Sequence, residues 1–301
     1  MLPVGNRRGI PCGPYYYGVG YPGDLADWTA GLHAAPFVGG ITGVLATARS
    51  LGTPLIMALA GASNTFWDPV THAFVLANWK ANIDAAAALG LSSYISDGTL
   101  IANMLIDEPK WYGTWGGEVV PNDVIDEMAA YSKTKWPTLT TLVRSSPTQL
   151  TTHAAGHFVP WPGGDYVWQY LDGAFAGMTG ASENWSLIVP SAIAQNLKLV
   201  CHLYPLSDGD GSSGIPAPGY PGMWMMTAAE MVEYTATMLS STFDCFFFTL
   251  WAYHSAVQAD PYFYEWWMLP AQQEAFATIR NLCNVRGTID PSDYHLIADM
   301  V

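Results

Sequence analysis

A chain of 301 residues with a formal net charge of -14 is long enough for one large domain, and its charge disfavours partners such as nucleic acid or an anionic membrane surface. Half of its residues are apolar and 12% are charged, yet no apolar run of about 18 residues appears, so we expect a soluble protein without membrane spans. No apolar segment follows Arg7 and Arg8, so the sequence predicts no secretion signal.

Short apolar runs bounded by Gly, Pro or Asp alternate with longer segments of helical period along the chain. This alternation is typical of a parallel sheet with crossover helices. The predicted strands comprise residues 15–20, 54–60, 102–107, 140–144, 166–171, 197–204 and 245–251. An eighth strand, second in chain order, is expected within residues 36–44, where three glycines blur the pattern.

Helices are predicted between these strands. One helix covers residues 71–89 and a second begins at Pro121. A third follows a capping box formed by Thr227 and Glu230, and the last begins at Pro270. Together these elements predict an α/β fold, a single (β/α)8 barrel of the TIM type that covers residues 1–301. Residues 284–301 are expected to form a C-terminal tail packed on the barrel.

The carboxyl ends of the strands carry the functional residues in barrels of this type. Five side chains fall at predicted carboxyl ends: Glu108, Arg144, Asp172, Tyr204 and Trp251. We expect these five to line one concave face.

The segment Ile106-Asp107-Glu108-Pro109 is the most informative stretch of the sequence. It places two adjacent carboxylates at the end of an apolar strand, a position that suits acid/base chemistry. Pro109 favours an extended backbone at Glu108, directed over the barrel mouth. The alternative is that Asp107 caps a turn or pairs with Lys110, while Glu108 is a rim residue.

This segment resembles two glycosidase patterns. It is similar to the adjacent Asp-Glu of hexosaminidases that use substrate-assisted catalysis, including a bacterial β-N-acetylgalactosaminidase family in which Asp-Glu-Pro occurs. That resemblance implies that Glu108 protonates the leaving oxygen while Asp107 orients the 2-acetamido group of the substrate as it attacks C1. The segment also resembles, less well, the Asn-Glu-Pro that ends strand four in the large clan of retaining β-glycosidases, where the Glu is the acid/base.

A second carboxylate distinguishes these mechanisms. A retaining enzyme needs a nucleophile about 5 to 5.5 Å from the acid, and in the retaining clan it is a Glu on strand seven. Residues 197–204 contain no Glu, so Asp172 or Asp208 is the candidate nucleophile, or the base of an inverting pair about 6.5 to 9.5 Å apart. Substrate-assisted catalysis needs no enzyme nucleophile, and the sequence therefore favours it.

Aromatic and polar residues around the strand ends are candidates for sugar binding. Thirteen Trp in a chain with few charges favour a carbohydrate cleft, because indole faces suit the C–H faces of pyranose rings. Trp251 resembles the Trp that floors a sugar subsite at the end of strand eight in many barrel glycosidases. The candidate substrate-binding residues are Arg144, Tyr170, Asp172, His202, Tyr204, Trp251 and Trp111. The alternative for the aromatic residues is core packing or an oligomer interface, and for Arg144 a structural ion pair.

Metal and cofactor motifs are incomplete. His153 and His157 lack a neighbouring Glu, and the loop with Asp208 and Asp210 lacks the closing Glu of a calcium site. We expect no metal and no cofactor, and we expect the four cysteines to be buried thiols. The sequence predicts a glycoside hydrolase with a carbohydrate substrate; the rival is a barrel that binds sugar or has a structural role without hydrolysis.

Overall fold

The computed structural model describes residues 9–14, 31–33, 40–111, 113–154, 157–160, 166–177, 185–217, 222–241, 243–250 and 269–301. The chain divides into two compact units. The first contains the described residues within 32–176 and 190–199, and the second contains those within 7–31, 177–189 and 200–301.

The first unit is built on parallel strands with helices between them. Its strands are β2 (Gly31–His33), β3 (Leu55–Met57), β4 (Leu100–Asp107), β5 (Thr140–Arg144) and β8 (Gly173–Gly177), adjacent in the order β8-β5-β4-β3-β2. The pairs β3/β4, β4/β5 and β5/β8 are parallel. A short antiparallel pair, β6 (Thr152–Ala154) with β7 (His157–Pro160), follows β5.

The helices of this unit pack apolar stripes on the sheet. They are α1 (Ile41–Leu51), α2 (Leu76–Ala87), α3 (Ser92–Ser96), α4 (Asn122–Lys135) and α5 (Pro147–Leu150), with a 3-10 turn at Ser63–Thr65. β3 is fully buried and β4 nearly so, as expected for strands covered on both faces. Trp79 of α2 is fully buried and donates its indole N–H to the Leu105 carbonyl oxygen of β4 (2.8 Å).

The second unit has strands in the order β1-β10-β9, namely β1 (Cys12–Pro14), β10 (Cys245–Leu250) and β9 (Lys198–Leu203), which begins in the first unit. α6 (Trp185–Ala194) has residues in each of the two units. α7 (Ala228–Leu239) and α8 (Pro270–Arg286) belong to the second unit. The predicted capping box of Thr227 and Glu230 begins α7. The tail forms a 3-10 helix, Pro291–Met300, that contacts α7 and α8.

Most predicted strands are confirmed: β5 has the predicted bounds, β4 begins two residues earlier, and β3 and β9 are shorter than predicted. Strands predicted at 54–60, 102–107, 140–144 and 197–204 correspond to β3, β4, β5 and β9, and the described part of 245–251 corresponds to β10. The predicted strand at 15–20 lies outside the described residues. No described helix is long and apolar enough to cross a membrane.

Residues 41–44 of the expected second strand belong to α1, so that part of the prediction is wrong. The buried residues of α1 are Ile41, Val44, Leu45 and Ala48. Their spacing of three and four residues is the helical period, and Gly52 ends the helix in the left-handed conformation. The described strand β2 lies earlier, at Gly31–His33.

The predicted strand at 166–171 is also wrong, because its backbone bonds to a side chain instead of a neighbouring strand. The buried carboxylate of Asp126 accepts the backbone N–H groups of Gln169, Tyr170 and Leu171 at 2.9 to 3.2 Å. The strand begins only at Gly173, after Asp172. The alternating aromatic residues before it therefore lie in a loop at the amino end of β8.

Candidate active site

The carboxyl end of β4 places Asp107 and Glu108 beside β5. Asp107 is in register with Arg144, and the register shifts between Met104 and Asp107. Such irregularities re-aim side chains and are common beside active sites. The Glu108 backbone N–H donates to the Arg144 carbonyl oxygen (2.9 Å), so the pairing of the two strands extends to Glu108.

Glu108 has a left-handed backbone with φ of +46°. The prediction that Pro109 keeps it extended is therefore wrong. The Glu108 carbonyl oxygen accepts two hydrogen bonds, from the Trp111 backbone N–H (3.0 Å) and the Trp115 indole N–H (3.0 Å). These bonds hold a conformation that costs a residue with a Cβ about 1 to 2 kcal/mol. Strain of this kind clusters at functional sites.

The strained backbone has a testable consequence for stability. We expect Glu108→Gly to be more stable than Glu108→Ala by about 1 kcal/mol, because glycine adopts positive φ without a steric penalty. Urea unfolding of the two variants measures the difference. Equal stabilities would contradict strain at this residue. A more stable alanine variant, which is the usual result at an unstrained position, would also contradict it.

Arg144 joins the two carboxylates. Its Nη1 lies 2.5 Å from Asp107 Oδ1 and 3.3 Å from Glu108 Oε1. The Arg144 side chain is 10% exposed, whereas those of Asp107 and Glu108 are 31% and 47% exposed. A buried guanidinium requires a charged partner, so the Arg144–Asp107 pair is fixed in place. The alternative in which Asp107 pairs with Lys110 is wrong.

The electrostatic environment of Glu108 favours the protonated acid. Burial, the largest effect, raises its pKa, and the neighbouring charge of Asp107 raises it further. Arg144 acts in the opposite direction through its charge and a hydrogen bond. The net shift is upward although almost half of the side chain is exposed. A carboxyl with a raised pKa that remains open to solvent suits a general acid.

A packed aromatic group supports the loop after β4. Trp115 is fully buried, with its ring 5.9 Å from Phe66 in a stacked arrangement and 5.7 Å from Phe74 edge-on. Gly116 has φ of +66°, and a Cβ there would lie 2.0 Å from the Thr71 carbonyl oxygen. The loops after β3 and β4 therefore pack against each other, and this packing positions the indole that holds Glu108.

Other aromatic residues of these loops are more accessible. Trp111 is 56% exposed and lies one turn beyond Glu108. Trp67, in the loop after β3, is partly buried and stacks on the exposed His72 ring at 4.4 Å with 12° between the planes. His72 also has positive φ, +59°. Both tryptophans present indole surface of the kind that packs on sugar rings.

Lys110 lies in the same loop as Trp111. Its Nζ donates to the Val120 carbonyl oxygen (2.9 Å), and burial lowers its pKa to about 8 against the opposing charge of Asp123. Lys110 therefore ties the two ends of the loop together.

Asp172 and Tyr170 are not brought to this site. Asp172 contacts the Lys133 ammonium (2.5 Å) and the Thr141 backbone N–H (2.7 Å), both through Oδ2. Thr141 precedes Arg144 by about 10 Å of strand. The prediction that Asp172 ends a strand beside Glu108 is wrong, because β8 begins after it. Tyr170 is exposed in the same loop at the amino end.

His202 and Tyr204 lie at the carboxyl end of β9. Both side chains are partly buried, and their rings are 4.7 Å apart and nearly perpendicular. The alternation of the strand predicts that they share a face, and their contact agrees with it. Their role in sugar binding stays a prediction.

Asp208, the other candidate nucleophile, belongs to the loop after β9. It is 7% exposed, and its backbone N–H donates to the Tyr204 carbonyl oxygen (3.0 Å). Glu230 fixes the loop further by accepting the Asp210 backbone N–H (2.7 Å) while it also caps α7. The loop is therefore ordered by backbone hydrogen bonds.

The remaining predictions concern Trp251 and metal sites. Trp251 lies outside the described residues. Within the described parts of the chain, no group of three or more His, Cys, Asp or Glu could hold a metal ion.

Sequence reasoning missed two features of the site. The first is the role of Trp115: the high Trp content was taken as support for a carbohydrate cleft, but this indole is buried and supports the Glu108 backbone. The second is His72, which no motif singles out. The signal available for Trp115 was the pair Gly116-Gly117, both with positive φ, because such a turn folds the loop back on itself.

The parallel strands and crossover helices define an α/β protein of the (β/α)8 barrel class, as the sequence predicts. No protein-family profile and no curated protein sequence matches the chain.

The solved structures that are similar to this chain include two that match it over more than 90% of its length. One is an endo-1,4-beta-mannanase from Rhizomucor miehei, with 13% identity and a TM-score of 0.58 over 94% of this chain and 96% of the mannanase. The other is a GH10 xylanase from Thermobacillus composti, with 13% identity and a TM-score of 0.51 over 91% of this chain and 96% of the xylanase. At such low identity these similarities establish the fold.

Proposed function

We propose that this chain is a glycoside hydrolase that acts on an oligosaccharide or polysaccharide, with Glu108 as the general acid/base. The main support for this proposal is the position of Glu108 at the carboxyl end of a buried barrel strand. Its side chain is about half exposed, its pKa is raised, and its backbone is strained. In barrels of this class the chemistry takes place at that end of the strands. Glu108 donates its proton to the glycosidic oxygen as the bond to C1 breaks, and it then takes a proton from the incoming water.

Asp107 is the second group of the proposed mechanism. Its Oδ1 is held by Arg144, and Oδ2 has no hydrogen-bond partner in the described part of the chain. Oδ2 therefore accepts the N–H of a 2-acetamido group, whose oxygen attacks C1 to give a cyclic oxazolinium. The negative charge of Asp107 stabilises this cation. The arrangement supports a substrate that carries a 2-acetamido group.

A second candidate mechanism follows from the similar structures, which are a mannanase and a xylanase. A substrate with a plain 2-hydroxyl lacks an internal nucleophile, so the protein would supply a second carboxylate. Asp172 pairs with Lys133 and binds the Thr141 backbone N–H near the amino end of β5. This position argues against Asp172 as the second carboxylate. Asp208 is the remaining carboxylate of the two that the sequence indicates.

Release of reducing ends tests the proposal. Chitin oligosaccharides, mannan and xylan are incubated with the wild-type protein and with Glu108→Gln. We expect hydrolysis of the acetamido substrates by the wild type only, with inhibition by a thiazoline mimic of the oxazolinium. Turnover of mannan or xylan with a covalent adduct on Asp208 favours the second mechanism. Sugar binding without hydrolysis of any substrate would show a non-catalytic carbohydrate-binding barrel.

Trp111 gives a separate prediction about binding. Its exposed indole lies one turn from Glu108, so we expect Trp111→Ala to weaken oligosaccharide binding by about 1 to 3 kcal/mol through loss of an aromatic contact. Titration monitored by tryptophan fluorescence in the Glu108→Gln background measures the affinity. Val70→Ala, at an exposed apolar residue of the loop after β3, is the control. Unchanged affinity in a folded Trp111→Ala protein would remove Trp111 from the sugar site.

A further inference from the structure

The four cysteines, distant in sequence, gather in the second unit. Cys12, Cys201 and Cys283 are buried, and Cys245 is partly exposed. Cys12 hydrogen-bonds Cys283, and Cys201 and Cys245 both act on the charge state of Cys283. The sequence prediction of buried thiols is confirmed for three of the four, and Cys245 is the exception.

Cys201 and Cys245 form a close pair of thiols. They lie on the neighbouring strands β9 and β10, with 3.6 Å between the two Sγ atoms. Neighbouring strands are about 4.7 to 4.9 Å apart, within the Cα separations that a disulfide spans. A small side-chain rotation brings the sulfur atoms to bonding distance.

Cys245 also lines a cavity of about 440 Å³. Ile10, Phe243, Asp244, Arg286 and Tyr294 form its walls with Cys245. A small molecule can therefore approach Cys245 from the cavity, whereas Cys201 is fully buried.

Arg286 places a positive charge beside this pair. Its side chain is fixed by the carbonyl oxygens of Leu239 (2.7 Å) and Phe243 (2.9 Å), so its position does not depend on an anion. Burial raises the pKa of the Cys201 thiol well above its usual range, and the charge of Arg286 acts against that rise. A nearby cation favours the thiolate, which is the nucleophile in thiol–disulfide exchange.

We propose that Cys245 is a thiol-modification site for low-molecular-weight disulfides, and that Cys201 resolves the adduct to a Cys201–Cys245 disulfide. The Cys245 thiolate attacks one sulfur of a small disulfide and releases one small thiol. The Cys201 thiol then attacks Cys245 Sγ, passes its proton to the departing sulfur and releases the second small thiol. The two cysteines lose two protons and two electrons, and the small disulfide is reduced to two thiols.

Peptide mapping of the native protein after incubation with glutathione disulfide tests this proposal. We expect a peptide pair linked through Cys201 and Cys245, a chain lighter by two hydrogens, and reversal by dithiothreitol. Cys201→Ala should keep one glutathionyl group on Cys245, because the resolving thiol is missing. Cys12→Ala, a substitution at a buried cysteine outside the pair, should give the wild-type result.

Two results would overturn the proposal. One is a native wild-type protein that stays unmodified under conditions in which the urea-unfolded chain reacts. The other is a glutathionyl group that persists on Cys245 of the folded wild type. Both are read from the wild-type protein, so they decide the proposal even if a variant folds poorly, and neither depends on hydrolase activity.

Discussion

Glu108→Gln should lower kcat/KM for an oligosaccharide substrate by about 10² to 10⁴-fold, the range for loss of a general acid/base. Glutamine has nearly the same shape and can accept the contact from Arg144, but it cannot donate a proton to the leaving oxygen. Substrates with an activated aryl leaving group need less protonation, so their bond-breaking step should lose much less. Initial rates on both substrate types measure the two effects.

Glu118→Gln is the matched control, because Glu118 is exposed in the same loop and makes no ion pair with a described residue. Its rates should equal those of the wild type. A similar loss for both leaving groups in Glu108→Gln would contradict the acid role, and an unaltered rate would remove Glu108 from catalysis altogether.

The pH dependence of the wild type should reflect the raised pKa of Glu108. The acid form is active, so kcat/KM should fall as pH rises through a pKa above that of an ordinary glutamate. The raised folded-state pKa also means that the Glu108 contribution to stability is present below the unfolded pKa and is lost as pH rises through the folded pKa. The kcat/KM of Glu108→Gln should therefore not show this fall with rising pH. Its free energy of unfolding, relative to that of the wild type, should be higher at neutral pH than at low pH. Denaturant unfolding across pH checks the second effect.

Asp107→Asn should lower kcat for an acetamido substrate by about 10²-fold or more, with a modest change in KM. Asparagine keeps the shape and one acceptor oxygen, but it removes the charge that stabilises the oxazolinium in the transition state. It also leaves Arg144 with Glu108 as its only acidic partner among the residues described, so the pKa of Glu108 should fall. Steady-state kinetics at several pH values separate the two effects.

Asp97→Asn provides the control for this substitution. Asp97 also pairs with an arginine, Arg49 at 2.6 Å, but it lies before the amino end of β4. The same chemical change at the opposite end of the strand should leave kcat unaltered. Equal losses in both variants, or a loss confined to KM in Asp107→Asn, would contradict the assigned role of Asp107.

The central strand and its two carboxylates could be predicted because the signal is local. Seven mainly apolar residues followed by Asp107-Glu108-Pro109 define a buried strand end without knowledge of its neighbours. The strand order also predicted that Arg144 lies near these carboxylates, since parallel strands bring their carboxyl ends together, but it left open whether Arg144 binds substrate or forms an ion pair. The left-handed backbone of Glu108 could not be predicted, because it depends on the indole of Trp115 and on the packing of Phe66.

The two wrong strand predictions have different causes. Residues 166–171 alternate as a strand does, but a single carboxylate of α4, Asp126, binds their backbone N–H groups. In residues 36–44 the glycines concealed the helical spacing that Ile41 and Val44 begin. A tertiary contact therefore decided the first segment, whereas the signal of the second was local. The wrong position of Asp172 followed from the first error.

A crystal structure of Glu108→Gln in complex with a chitin oligosaccharide would show whether residue 108 reaches the glycosidic oxygen of an acetamido sugar. We expect a glycosidic oxygen about 2.6 to 3.2 Å from the residue 108 side chain, with the neighbouring 2-acetamido N–H directed at Asp107 Oδ2. Oligosaccharide bound away from residue 108 would contradict the role of Glu108 as general acid. So would oligosaccharide bound there with its glycosidic oxygen beyond the reach of that side chain.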